Sequence, residues 1–152
     1  MDILAEPPAF DLRDPEWKIY SRNPVKPPHF IAKGAVVNNC CVTEGCNVYG
    51  SVKHSILFEG VTVEKGAVVE DSIVFPGTVI KENAVVKKAV VGEGTVIGKD
   101  VIIGDDNTES YNYDSKFCSG GISLVGGGIK VSDGVKVGKN SMITENLEKE
   151  DK

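Results

Sequence analysis

The chain has no basic run longer than two residues, and its 17 Lys plus Arg are outnumbered by 22 Asp plus Glu, for a formal charge of −5. That balance excludes a surface tracking nucleic-acid phosphates. No apolar stretch approaches the roughly 20 residues that a helix needs to cross a bilayer, so no membrane span is expected. The opening residues, MDILAEPPAFDLRDPEW, carry acids and prolines where a secretory signal needs a basic start and an apolar segment. A cytoplasmic location follows. The four cysteines, Cys40, Cys41, Cys46 and Cys118, form no CxxC pair and are too few to staple a secreted fold of this size. The two histidines, His29 and His54, cannot supply the three ligands of a zinc hydratase site. Aromatic residues make up only 7%, and 152 residues are too few for two ordinary domains.

Valine and glycine are abundant instead, with 22 and 17 residues. Small branched side chains with frequent glycine point to a strand-rich core. The prolines are unevenly spread: six of the seven lie in the first 28 residues. This density predicts an extended arm over residues 1–30, and its Phe10, Trp17, Ile19, Tyr20 and Phe30 mark it as a docking arm.

From Ile31 aliphatic residues recur at Val37, Val42, Val48, Leu57, Val63, Val69, Val74, Ile80, Val86, Val91, Ile97 and Ile103, mostly six apart and sometimes five. A period of six fits neither a helix nor a simple alternating strand. It fits an all-β parallel solenoid in which each hexapeptide is a short strand plus a corner. Three hexapeptides make one coil, stacking Ile31 on Val48, Val63 on Ile80 and Ile80 on Ile97. At about 4.8 Å per coil, residues 31–103 give about four coils, roughly 20 Å tall. The spacing breaks between 48 and 57, predicting a distorted corner around His54. A polar stretch at about 105–121 predicts a loop insertion, the repeat resumes at Val131, Val137 and Ile143, and residues 144–152 form a fraying tail.

Chemistry-bearing residues are few. Cys40, Cys41 and Cys46 fall on or beside small-residue slots of the repeat and read as core packing, leaving Cys118 near the loop as the expected reactive thiol. Gly126–Lys130, GGGIK, lacks the Ser or Thr and the helix that a phosphate loop requires, and reads as a turn. Lys87 and Lys88 form the one adjacent basic pair and are the candidate anion-binding residues. Many hexapeptide solenoids are acyltransferases with a histidine base, a role for which His54 is the candidate.

The segment DLRDPEWKIYSRNPVKPPHFI, followed at once by hexapeptide coils, resembles the C-terminal part of bacterial glucose-1-phosphate adenylyltransferase, the ADP-glucose pyrophosphorylase family. The Trp17, Ile19, Tyr20, Asn23, Pro24, Pro27 and Pro28 string joined to the repeat carries the resemblance, which spans nearly the whole chain. It implies a single-stranded left-handed parallel β-helix over 31–143. It also implies a regulatory and assembly domain of the enzyme that converts ATP and glucose 1-phosphate to ADP-glucose and diphosphate. The family's Gly-rich nucleotide loop and magnesium-holding acids lie upstream of this region, so the resemblance implies no catalytic residue, no metal ligand and no cofactor in this chain. Mg2+ belongs to the catalytic nucleotidyltransferase domain, which is the implied partner within a homo- or hetero-oligomer. Two anion-holding lysines of plant relatives align at about Glu82 and Gly127, which leaves Lys87 and Lys88 as the effector-binding residues carried over. The equivalent domain of another sugar-nucleotide pyrophosphorylase and the acyltransferase remain the alternatives.

Overall fold

A computed structural model describes residues 2–8, 14–16 and 25–148. The arm residues Phe10, Trp17, Ile19, Tyr20, Asn23 and Pro24 lie outside the described residues, so the expected docking arm falls there. One turn of 3-10 helix spans Asp2–Leu4.

The described chain is all-β: a left-handed parallel β-solenoid with three six-stranded faces. The first face stacks Phe30–Ile31, Asn47–Val48, Thr62–Val63, Val79–Ile80, Val96–Ile97 and Lys130–Val131. The second stacks Val36–Asn38, Ser51–Lys53, Val68–Glu70, Val85–Lys87, Ile102–Asp105 and Lys136–Gly138. The third stacks Cys41–Val42, Ile56–Leu57, Ile73–Val74, Ala89–Val91, Ser123–Val125 and Met142–Ile143. One strand from each face makes a coil, and six coils give a stack about 24 Å high at about 4.8 Å per step.

Inward aliphatics pair in the register that the repeat predicts: Ile31 with Val48, Val63 with Ile80, and Ile80 with Ile97. Leu57, Val63, Val69, Val74, Ile80, Val86, Val91, Ile97 and Ile103 are wholly buried. Each such side chain contributes about 1.5–3 kcal/mol of apolar burial. Only side chains this small fill a narrow triangular interior, which accounts for the valine excess. The corners turn on residues with positive φ, such as Gly66 (76°), Asn83 (58°) and Asp71 (50°), a region closed to β-branched residues.

On the first face two steps depart from a 17-residue length. Val48 to Val63 spans 15 residues, and Ile97 to Val131 spans 34. The short coil corrects two expectations. The inward residue between Val48 and Leu57 is Val52, wholly buried and paired with Val37 and Val69, which a search at spacings of five and six steps over. The distortion lies at Tyr49–Gly50, not at His54, whose φ of 43° is that of an ordinary corner beside Asn39 (49°), Asp71 (50°) and Lys88 (45°). The shortcut presses Gly50 against the next coil, where a Cβ would lie 2.3 Å from the Ala67 carbonyl oxygen.

The long coil corrects a third expectation. Cys118 is wholly buried, its thiol directed at the Ser141 carbonyl oxygen 3.6 Å away, so it is not the accessible thiol of the chain. Nor does the tail simply fray: Leu147 forms a bridge with Val131, its N–H donating to Lys130 O at 3.0 Å and its carbonyl accepting from Ser132 N at 2.8 Å. Those bonds cap the last coil. At the opposite end Ile31 remains 44% exposed, with no coil beneath it among the described residues.

Candidate functional site

Lys87 ends the fourth strand of the second face, and Lys88 is the corner residue that follows it. Period-two alternation turns Val86 inward and Lys87 outward. The Lys88 backbone is fixed by its N–H to Glu70 O (3.0 Å) and by its carbonyl, which accepts from Ser123 N (2.9 Å). The two lysines line a small cleft of about 120 Å³ with Glu70, Asp71, Asp106 and Lys139. Lys139 comes from the last coil, and the aliphatic stems of Lys88 and Lys139 flank Gly121 at the base of the insertion.

Three ammonium groups and three carboxylates meet here, and most are engaged with one another. Lys87 Nζ stands 3.6 Å from Glu70 Oε2, Lys139 is ion-paired with Asp106, and Asp71 Oδ1 is hydrogen-bonded to His54 Nδ1 at 2.6 Å. Lys88 makes no ion pair among the described residues, so its ammonium is the available charge of the cleft. Gly104 closes one side: a Cβ there would meet the Lys87 carbonyl at 2.4 Å, so the bulge between Ile103 and Asp105 requires glycine.

The remaining sequence candidates are placed as follows. Glu82 is paired with Lys99 at 2.7 Å, and that partner holds its carboxyl below the ordinary range while raising the Lys99 ammonium. Gly127 sits exposed in the corner before Lys130–Val131, so GGGIK is a turn. Cys46 is buried with its thiol on Phe58 O at 3.0 Å, and burial pushes that thiol up. Cys40 is half-buried against the core, directed at Asn38 O (3.1 Å), while Cys41 lies on the outer side of the third face. His29 is exposed, and His54 meets Asp71 at the surface. Among the described residues no group of three or more His, Cys, Asp or Glu side chains could hold a metal ion, and no helix is long and apolar enough to cross a membrane.

One feature was hidden from the periodicity. Ser55, Ser72 and Ser141, all wholly buried, follow the positive-φ corners at His54, Asp71 and Asn140, and the buried Ser123 takes the same register after the insertion, paired with Ala89. Ser55 and Ser72 hydroxyls donate to Lys53 O and Glu70 O, both at 2.7 Å, and each accepts from the next coil, Ser72 N and Ala89 N at 3.1 Å. The signal was a Ser two residues after Lys53 and Glu70, at the same register in successive coils. These bonds tie the successive corners together up to Ala89, the residue next to Lys88 in the cleft.

Known proteins place the chain. The description "GlmU-like, C-terminal hexapeptide" fits residues 27–125. The chain is 41% identical over 148 residues, 94% of its length, to the glucose-1-phosphate adenylyltransferase of Acetivibrio thermocellus, of which the match covers 34%. It is 49% identical over 71 residues to the same-named enzymes of Bacillus thuringiensis and Bacillus anthracis, covering 47% of this chain and 19% of each. The chain thus spans about a third of the Acetivibrio relative and less of the Bacillus ones. Its coils, their register and this match together show that the chain belongs to the GlmU-like, C-terminal hexapeptide family.

Proposed function

We propose that the chain is a non-catalytic regulatory and assembly domain of a cytoplasmic glucose-1-phosphate adenylyltransferase. The observation that carries this reading is the alignment of 94% of the chain with about a third of an enzyme of that name. The chain has no GGxGxRL-like string for a nucleotide, and its buried hydroxyls and thiols bond to the solenoid's own backbone. Catalysis and its Mg2+ then belong to a nucleotidyltransferase domain that this domain packs against, within an oligomer, with the residue 1–30 arm as the docking segment.

Effector anions are the proposed ligands of the Lys87–Lys88 corner. Lys88 supports this, as a cation without a carboxylate partner among the described residues, on a corner fixed from both sides. Lys87 and Lys139 can exchange their acidic partners for a phosphate, whose charge-assisted bonds are the stronger kind. The test is ADP-glucose formation from ATP and glucose 1-phosphate by the chain alone and mixed with a separately expressed catalytic half. Activity only in the mixture, with anion response lost on Lys88→Gln, is expected. Activity in the chain alone, or a catalytic half that works and responds equally well without it, rejects the proposal.

The acyltransferase alternative keeps one supporting contact, the 2.6 Å His54–Asp71 pair, which with Nδ1 as donor leaves Nε2 free as a base. Loss of acetyl transfer from acetyl-CoA in His54→Ala would favour it.

A further inference from the structure

The first corner of the coils follows one pattern. Two residues after the inward aliphatic stand Lys33, Lys65, Glu82, Lys99 and Asp133; three after it stand Gly34, Gly66, Asn83, Asp100 and Gly134, all with positive φ. The third residue's N–H donates to the second residue's carbonyl one coil earlier. Asn83 N donates to Lys65 O (3.2 Å), Asp100 N to Glu82 O (3.0 Å) and Gly134 N to Lys99 O (2.7 Å).

The short coil has neither residue. Tyr49 is followed directly by Gly50, which takes the slot of Ala35, Ala67 and Ala84. Among the described residues two backbone groups are left without ladder partners: the Gly66 N–H above the gap and the Lys33 carbonyl below it. Between them opens a notch of about 740 Å³ whose lining includes Lys33, Gly34, Tyr49, Lys65 and Gly66, with Glu82, already paired with Lys99, as its one acid.

The side chains of the same column carry an independent mark. Lys65, Glu82, Lys99 and Asp133 alternate in sign; Lys99 Nζ lies 2.7 Å from Glu82, and Lys99 N donates to Asp133 Oδ1 at 2.9 Å. Continued down to Lys33, the alternation leaves an acid wanting at the vacant position. Lys33 and Lys65, which would flank that acid, make no ion pair among the described residues.

We propose that this notch binds an acidic turn of a partner polypeptide, Glu or Asp followed by Gly or Asn, whose two residues complete the short coil in trans. The acidic residue's carbonyl accepts the Gly66 N–H, the next residue's N–H donates to the Lys33 carbonyl, and the carboxylate lies between Lys33 and Lys65. The second residue takes the positive φ of the other corners, hence Gly or Asn. A phosphate monoester dianion meets the ammonium groups and the Gly66 N–H but has no proton for the Lys33 carbonyl, and the single P–OH of inorganic phosphate cannot reproduce the paired backbone groups of a turn; a peptide meets all of them. This inference does not depend on the effector reading of the Lys87–Lys88 corner.

The test titrates the full chain with a cyclic peptide presenting Ala-Glu-Gly-Ala while following exchange of the Gly66 amide. At millimolar peptide that exchange is expected to slow at least ten-fold, and Lys33→Gln with Lys65→Gln to weaken binding at least ten-fold. Inserting Glu-Gly between Tyr49 and Gly50 fills the notch in cis and is expected to protect Gly66 and abolish peptide binding. Unprotected Gly66 at millimolar peptide overturns the proposal, as does equal binding by the lysine variants or by a folded insertion variant. Inorganic phosphate that protects Gly66 by itself and displaces the peptide overturns it in favour of an anion site.

Discussion

The coil at 48–63 loses two residues and the coil at 97–131 gains seventeen, yet the solenoid treats the two errors differently. The insertion brings its own partners. Thr108 Oγ1 bonds Asp105 at 2.5 Å, Tyr111 N takes the buried Ser141 hydroxyl at 2.8 Å, Met142 N donates to Tyr111 O at 2.8 Å, and Cys118 is sealed beneath. The deletion has no residues with which to repair itself, so the Gly66 N–H and Lys33 carbonyl stay open. Extra chain can fold back on the ladder; missing chain leaves, among the described residues, a vacancy.

A regular coil sets the energy scale for testing that contrast. Ile80→Ala removes a wholly buried side chain stacked between Val63 and Ile97, expected to cost about 2–5 kcal/mol by chemical denaturation. A loss below about 0.5 kcal/mol would deny the register itself.

At the deletion, Gly50→Ala drives a Cβ to 2.3 Å from the Ala67 carbonyl, expected to cost about 1–3 kcal/mol as backbone gives way. Gly120→Ala, in the insertion with φ of 65° and open space around it, is the control, expected to cost about 1 kcal/mol. Equal losses would erase the difference in tightness between the two coils.

At the insertion, Ser141→Ala strands the Tyr111 N–H and is expected to cost about 1 kcal/mol and to hasten thiol labelling of Cys118. If Cys118 in the unaltered chain labels as fast as an unfolded thiol, the insertion is not sealed.

The smallest effect is electrostatic. Lys99 lowers the Glu82 carboxyl, so this pair's stabilisation is present above the unfolded value near 4.5 and is lost as pH falls through the lower folded value. Both groups are exposed, so the effect is expected to be small and erased by salt. An NMR titration should place the Glu82 midpoint below 4.5, returning toward it in Lys99→Gln.

The period of six made the three faces and the pairing of Ile31, Val63, Ile80 and Ile97 with their partners legible, because a narrow interior admits one aliphatic per strand. Val52 was not legible to the same search, since a corner of two fewer residues breaks the spacing while keeping the side chain inward. Cys118 misled for a related reason: a polar stretch says that chain leaves the ladder, not that it returns over it. Lys87 and Lys88 announced themselves as a pair, but Lys139 and Asp106 reach that corner only through the stacking of the last coil. The serine column was visible only once the register was known.

The Leu147 bridge gives the solenoid a polarity that its repeat lacks. The last coil ends on bonds that occupy the Lys130 carbonyl and Ser132 N–H, whereas the first leaves Ile31 exposed. For added coils the consequence lies at the closed end: a coil spliced after Ile143 must first displace Leu147 from the Lys130 carbonyl and the Ser132 N–H before it can pair with the last strand.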